Sequence, residues 1–491
     1  MTRALQQLLN RCRRKASPAQ LRTRRRRRRS RERGVALIMV LGALTILAVM
    51  LAEFQDETSA ELGSALSHRD AVQAEYAGRS AVNLSRLLIA SEPTIRKALA
   101  PLFLLMKQGP PQIPVWEFAD RVLGAFNNAE GGEAFKSLAG VDIQEGENLG
   151  FDGAGFEVRI IDEDSKINLN VAARGDAFSQ ARLAQQLIGL LTGPQYDPLF
   201  EHRDSDGQFS DRQTICSAIV DWVDPDQDGY PCDPHSGTAQ QAGAEDSFYQ
   251  LLKKPYPRKN AAFDSLEELR LVRGIGDDFW STFIDPDPDK PEKRVVTVWG
   301  QGKINVNTAN GQTILAVVCG AATPGTPVCA DPTEAAKFLT AMTMVKGFTA
   351  GAPLFGSTKA FLNALKGRGM FGKVLEALGM KPVTLLSESE LAKAITTESK
   401  VFSIYATGVV KVGKRETRVR VHSVVDFRGA PAVTQNSALG LLTGLAPGAQ
   451  PPPGQDPAAD ETKLPEGATE SAIPSAFQPG PGGTVIYHRI D

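Results

Sequence analysis

Histidine and cysteine are scarce in this chain of 491 residues, five of each. No C-x2-C pair occurs, which excludes a zinc site of the usual Cys/His spacing. There is no Gly-rich phosphate loop, no G-x-S-x-G and no H-E-x-x-H, so no nucleotide cradle, acyl-transfer elbow or zinc-protease helix is offered. The chain therefore reads as a non-enzyme. Only one long uncharged apolar run exists, which excludes a polytopic transporter. At 42% hydrophobic and 23% charged residues, a wholly disordered chain, a collagen and a small disulfide knot are excluded as well.

What is present is strongly asymmetric. Residues 1–34 hold thirteen Arg and one Lys against Glu32 alone, a net of +13, while the remainder carries 41 basic and 55 acidic side chains, a net of −14. Directly after the basic leader comes Val35–Ala52, VALIMVLGALTILAVMLA, 18 residues without a charge. As a helix it spans about 27 Å, close to a hydrocarbon core of ~30 Å. Basic residues before it and Glu53, Asp56, Glu57 and Glu61 after it place the N-terminus in the cytoplasm and translocate the rest. No A-x-A site follows Ala52, as a secretory signal would require. Instead Ala71, Ala74, Ala77, Ala81, Leu84 and Leu88 recur at helical spacing to about Ser91. The reading is one long helix over 35–92 whose first half, 35–52, crosses the membrane.

The rest reads as α+β. Phe156–Asn170 alternates as a strand or strand pair, within a region 93–170 that supplies the first part of a small sheet. Val401–Arg428 reads as a hairpin turning near Gly413-Lys414-Arg415, the second part, within 396–430. Between them, 171–395 is dominated by helical periods (ARLAQQLIGLL, LEELRLV, PTEAAKFLTAMTMV, TKAFLNALK), which predicts a large inserted α-domain. Lys166-Ile-Asn-Leu-Asn-Val-Ala172 echoes Lys303-Ile-Asn-Val-Asn-Thr-Ala309, so the insertion divides into modules of about 171–300 and 301–395. The segment 431–491 forms a Pro/Gly-rich tail, in which Thr484–Ile490 reads as a returning edge strand.

Asp224-Pro-Asp226-Gln-Asp228-Gly229-Tyr230 has the D-x-D-x-D-G spacing of a calcium loop. Alternate carboxylates converge on a hard cation, Gly permits the turn, and the Tyr230 carbonyl supplies a further oxygen. His235 stands where an EF-hand has its bidentate Glu, so Glu245 and Asp246 are the nearest residues to complete the shell. Asp221 reads as a solvent-facing or turn-capping residue. The same residue types also favour metal-free turns. Asp285-Pro-Asp287-Pro-Asp289, with two prolines and no Gly, reads as a solvated linker, with a share in a second ion site as the alternative. Apart from Cys12 in the leader, Cys216, Cys232, Cys319 and Cys329 allow three pairings; the simplest joins each to its sequence neighbour, Cys216–Cys232 and Cys319–Cys329, as an oxidising compartment would permit.

The basic leader ending in Gly34, followed by Val35 and an apolar helix that continues as an amphipathic one, resembles a type IV pilin-like precursor. Met39 stands where pilins carry Glu at the fifth mature position. That departure resembles the K-type minor pseudopilins of the type II secretion system, as do DEDSKINLN, SAIVDWVDPDQDG, GAEDSFYQ, FDSLEELRLVRGIG and KINVNTA. The resemblance implies a pilin-like fold with an inserted α-domain, calcium in that domain, and cleavage by prepilin peptidase between Gly34 and Val35 with methylation of the new terminus. It also implies an inner-membrane anchor in lipid, a folded part in the periplasm, and a non-enzymatic place at the pseudopilus tip beside I-, J- and H-type pseudopilins. Packing onto these partners is expected through the Ala- and Leu-rich face of the long helix. A rival reading takes Ser265–Gly276 as a helix-hairpin-helix of a membrane-anchored nucleic-acid binder for DNA uptake. Asp277-Asp278 and the net negative charge after residue 34 oppose it, because phosphate contacts need the opposite sign.

Overall fold

The computed structural model describes residues 18–105, 109–127, 153–203, 207, 209–232, 241–244, 247–348, 352–431 and 480–491. The chain divides into two compact units, Met1–Val72 and Gln73–Asp491. Helix α1, Pro18–Leu105, starts in the first unit. Every side chain from Val35 to Ala52 is exposed there. Thr45 Oγ1 donates to Gly42 O at 2.9 Å, so its hydroxyl is satisfied within the helix, as an apolar solvent requires. The segment is thus long and apolar enough to cross a membrane. α1 runs past the expected end near residue 92 to Leu105, with Pro93 and Pro101 inside it. Its turn after Pro93 is tied by Arg96, which pairs with Glu92 (2.8 Å) and Glu398 (2.6 Å); the same Glu92 also accepts from Ile113 N.

In the second unit, strands β1 (Ala154–Asp162), β2 (Val401–Val412), β3 (Arg415–Asp426) and β4 (Thr484–Ile490) form an antiparallel meander in chain order. The insertion falls between β1 and β2. Alternation puts Phe156, Val158 and Ile160 of β1, Phe402, Ile404 and Ala406 of β2 and Val421 and Val425 of β3 in one core with Ala81, Val82 and Ile89 of α1. Along β2 the inward residues shrink to Gly408, where a Cβ would lie 1.8 Å from Ala74 O. Ala74, Ala77 and Ala81 are fully buried. The Ala-rich face is therefore used up on the chain's own sheet, and the expectation that partners pack on it is overturned. Alanine spacing shows only that something approaches closely; here it is the sheet.

The insertion is built twice. Ile167–Asn168 and Ile304–Asn305 each form a two-residue strand parallel to another, Val296–Thr297 and Ile395–Thr396. Asn168 Oδ1 accepts from Asn170 N, and Asn305 Oδ1 from Asn307 N. Asn170 then exchanges hydrogen bonds with the backbone of Phe263, as Asn307 does with Phe355. Each echo feeds a capped helix: Asp176 caps α2 (Ala177–Leu191), and after α3 (Arg212–Val223) Asn310 caps α4 (Gly311–Ala321). α2 and α4 cross in contact; a Cβ on Gly189 would sit 1.9 Å from Ala316 O, and one on Gly320 2.1 Å from Gln185 O. The second module continues with α5 (Pro332–Phe348), α6 (Thr358–Leu365) and α7 (Gly369–Ala377). The segment LEELRLV, expected as α-helix, is a 3₁₀ helix, Leu266–Leu271. It must turn within a few residues into Gly274, whose φ is +82°.

Asp162, Glu163 and Asp164 lock the insertion to the sheet. Asp162 accepts from the Thr308 and Ser399 hydroxyls, and Asp164 from Gln301 N, Lys400 N and Val401 N. Buried Glu163 pairs with buried Lys166 at 3.2 Å and accepts from Thr297. The Asp285–Asp289 run is exposed at Pro286, Pro288 and Asp289, while its first two carboxylates are ion-paired. Asp285 meets Arg294 in two hydrogen bonds of 3.0 Å, and Asp287 meets Lys293 at 2.9 Å.

Candidate functional site

Helix α3 stops at Asp224, whose backbone turns extended while its N–H still bonds Val220 O. The acidic loop follows at once. Asp226 Oδ1 accepts from Asp228 N at 2.9 Å, a turn these residue types favour. Gln180 of α2 aims its amide at the loop; Nε2 lies 3.1 Å from Asp224 Oδ2 and 3.0 Å from Asp226 Oδ2. Asp224 is fully buried, and its other oxygen, Oδ1, has no hydrogen-bond partner. Asp221 does not face solvent: it accepts from Tyr230 N at 2.7 Å and closes the loop from behind. Asn260 Nδ2 donates to Asp226 O, and buried Arg258 donates to Asp221 O.

The electrostatics follow from burial. Asp221 is pushed up to about 7 by desolvation, countered by the Tyr230 N–H and raised further by Asp224. Asp224 is pushed up to about 7 by desolvation and by Asp226 beside it. The nearby Arg258 guanidinium lowers both. Burial thus disfavours the ionised form of both carboxyl groups, the condition a bound cation relieves.

Asp228–Gly229 pairs antiparallel with Gln241–Ala244, Asp228 opposite Ala244. This brings the chain to the loop immediately before positions 245 and 246. Glu245 and Asp246 lie outside the described residues, as do His235 and Cys12. Among the described residues no group of three or more His, Cys, Asp or Glu is disposed to hold a metal. Asp224 and Asp226 are brought together by Gln180, whereas the Asp228 side chain is exposed. Gln180 and Arg258 were missed from sequence; neither lies in the loop, and no spacing links them to it.

Both local disulfides are formed. Cys216 on α3 joins Cys232 beyond the acidic loop (Cα–Cα 6.0 Å), and Cys319 on α4 joins Cys329 (5.6 Å). The first closes a ring around Asp221–Tyr230. On α1, the face away from the sheet presents Tyr76, Arg79, Asn83 and Leu87 at spacings of three and four; Tyr76 is 52% and Leu87 42% exposed.

Residues 165–282, about a quarter of the chain, match the family model for Type II secretion system (T2SS), protein K. That stretch holds the first helical module with its acidic loop and ring-closing disulfide, and over it the chain is similar to protein K of the type II secretion system. Among solved structures, a chain of the GspK-GspI-GspJ complex from the enterotoxigenic Escherichia coli Type 2 Secretion System matches with a TM-score of 0.34 and 17% identity, covering 56% of this chain and 76% of that one. No curated protein matches the chain. The family match leaves the nucleic-acid reading without support. The first hairpin is also closed by its own charges, since Arg270 pairs with Asp277 at 2.7 Å.

Proposed function

We propose that this chain is a minor pseudopilin of the type II secretion system, a structural, non-catalytic subunit of pilin-like fold. It is held in the inner membrane by residues 35–52, cut after Gly34 by prepilin peptidase, and assembled at the pseudopilus tip with I-, J- and H-type pseudopilins. One observation carries the reading: α1 buries one face under its own sheet and leaves another, Tyr76 to Leu87, free. Its apolar beginning is exposed on all sides. A helix used in this way anchors at one end and offers a contact surface at the other. The inserted α-domain supplies bulk that would oppose addition of a further subunit above it. N-terminal sequencing of membrane-extracted protein tests the anchor and the cut: a start at Val35 is expected, and a start within 53–65 would mean ordinary secretion instead.

The acidic loop fits calcium. Asp224 brings a buried oxygen without a partner, Asp226 a second carboxylate beside it, and Asp228 and the Tyr230 carbonyl complete the loop's share; Glu245 and Asp246 follow directly on the paired strand. Calcium there would join loop and strand by neutralising carboxylates that burial disfavours. The expected outcome is that EDTA lowers the melting temperature of the folded part and that Asp226→Ala weakens calcium binding, read by calorimetry. An unchanged melting temperature in EDTA would remove calcium from the account.

A further inference from the structure

The two helical modules open alike but close in hairpins of opposite charge, the first built on a 3₁₀ helix and a π-helical turn and the second on two α-helices. In the first hairpin, residues 265–284, Glu267, Glu268, Asp277 and Asp278 face Arg270 and Arg273. In the second, α6, its turn and α7, residues 358–381, Lys359, Lys366, Arg368, Lys373 and Lys381 stand against Glu376 alone. The cations are left available. Among the described residues only Lys366 of the five is ion-paired, to Glu388 at 2.5 Å, and Lys359, Arg368, Lys373 and Lys381 are exposed.

The turn presents them on a fixed frame. Gly367 N bonds Ala364 O at 3.0 Å and Arg368 N bonds Asn363 O at 2.9 Å. Gly367 and Gly369 both take positive φ, +79° and +76°, which tightens the reversal as a side chain would not allow. The chain after α7 returns to the same end, where Val383 N bonds Leu365 O at 2.9 Å and Pro382 lies against Gly367. Lys381 therefore leaves the fold beside the turn. Between Arg368 and Lys373 stands Met370, 70% exposed; residues 370 and 373 are neighbours on a helix surface.

We propose that this tip, formed by Arg368, Met370, Lys373 and Lys381, docks on an anionic phospholipid surface. An exposed apolar side chain among cations suits the headgroup boundary, where the cations meet phosphates and the methionine enters the acyl edge. An acidic protein would use the cations but has no need of the methionine at their centre. The same chain carries a membrane-length apolar helix, so lipid bounds the compartment in which the folded part works.

The test holds the full chain in phosphatidylcholine nanodiscs by its own anchor. It then measures co-flotation with added vesicles of phosphatidylcholine alone or mixed with phosphatidylglycerol. Binding to the mixed vesicles only, weakening as salt rises, is expected. The triple variant Arg368→Gln, Lys373→Gln, Lys381→Gln binds about a hundredfold more weakly, at ~1 kcal/mol per cation. Met370→Ser loses a smaller factor, and Arg368→Lys retains binding. The basic leader is identical in every variant, so undiminished binding by the triple variant would assign the vesicles to the leader and overturn the proposal. Equal binding to neutral vesicles, or no binding by the unmodified chain, would overturn it too. The variants' melting temperatures should match the parent's, because all four positions are exposed.

Discussion

A methyl group has no room at Gly408. Its Cβ would lie 1.8 Å from Ala74 O and 2.8 Å from Gly78 N, all backbone atoms that cannot rotate away. Gly408→Ala is therefore expected to push helix α1 off the sheet. The expected loss is at least the ~1–3 kcal/mol typical of overpacking, seen as a lowered melting temperature in circular dichroism, whereas Gly413→Ala or Gly429→Ala tests left-handed backbone alone. The small residues of α1 were legible as a pattern, but their partner was not. Periodicity reports that a face is buried, and only the register of β2 against α1 shows what buries it. The acidic loop divides in the same way. Asp224, Asp226 and Asp228 announce themselves by spacing because one turn carries them all. Gln180 and Arg258 reach the loop from positions distant in sequence, and nothing local marks them.

At the scale of elements, the KIN repeats were legible because each does the same work: a two-residue strand, an Asn turn and a capped helix. What they could not show is that α2 and α4 then meet through Gly189 and Gly320. The pairing of cysteines was open among three possibilities, and short loops resolved it. Replacing Cys216 and Cys232 together by Ser is expected to cost about 3 kcal/mol in the entropy model for a loop of this size. Denaturant unfolding of the mature protein checks it, with the Cys319/Cys329 double variant as comparison. The Asp162–Asp164 clamp gives a pH signature. Burial holds Asp162 above the usual carboxylate range, and Asp164 beside it adds to the rise against hydrogen bonds from Ser399 and Thr308. Burial raises Asp164 likewise, against the N–H groups of Gln301, Lys400 and Val401. From the ordinary Asp value of ~4 up to these raised values, the native state holds protons that the unfolded chain has released. Their contribution to stability is then largest at the acid end of the window and falls as pH rises through it. Urea midpoints for wild type minus Asp162→Asn should therefore slope downward with pH, and a flat or rising difference would contradict the clamp as described.

For the molecule as a whole, the sharp charge split at residue 34 and the apolar run behind it made a helix of membrane-crossing length legible, since bilayer thickness fixes the length of the signal. The use of the helix beyond the anchor was not legible. Ala and Leu at helical spacing mark a face that packs, and they do not say whether the neighbour is the chain's own sheet or another subunit. With Ala74, Ala77 and Ala81 fully buried, the face of the helix left exposed is the opposite one. There Tyr76 and Leu87 flank Arg79 and Asn83, and the Arg79 guanidinium lies 5.8 Å from the centre of the Tyr76 ring. Exposed aromatic and Arg side chains are the residue types that most often carry binding energy when an interface covers them. Tyr76→Ala with Leu87→Ala should accordingly leave the melting temperature of the folded part nearly unchanged, since neither side chain is in its core. The same variant should reduce co-purification with the partner pseudopilins by tenfold or more, the effect of truncating a residue worth about 2 kcal/mol at an interface. If co-purification persists while Gly408→Ala abolishes it, the helix matters only as support for the sheet, and the contact lies elsewhere on the second unit.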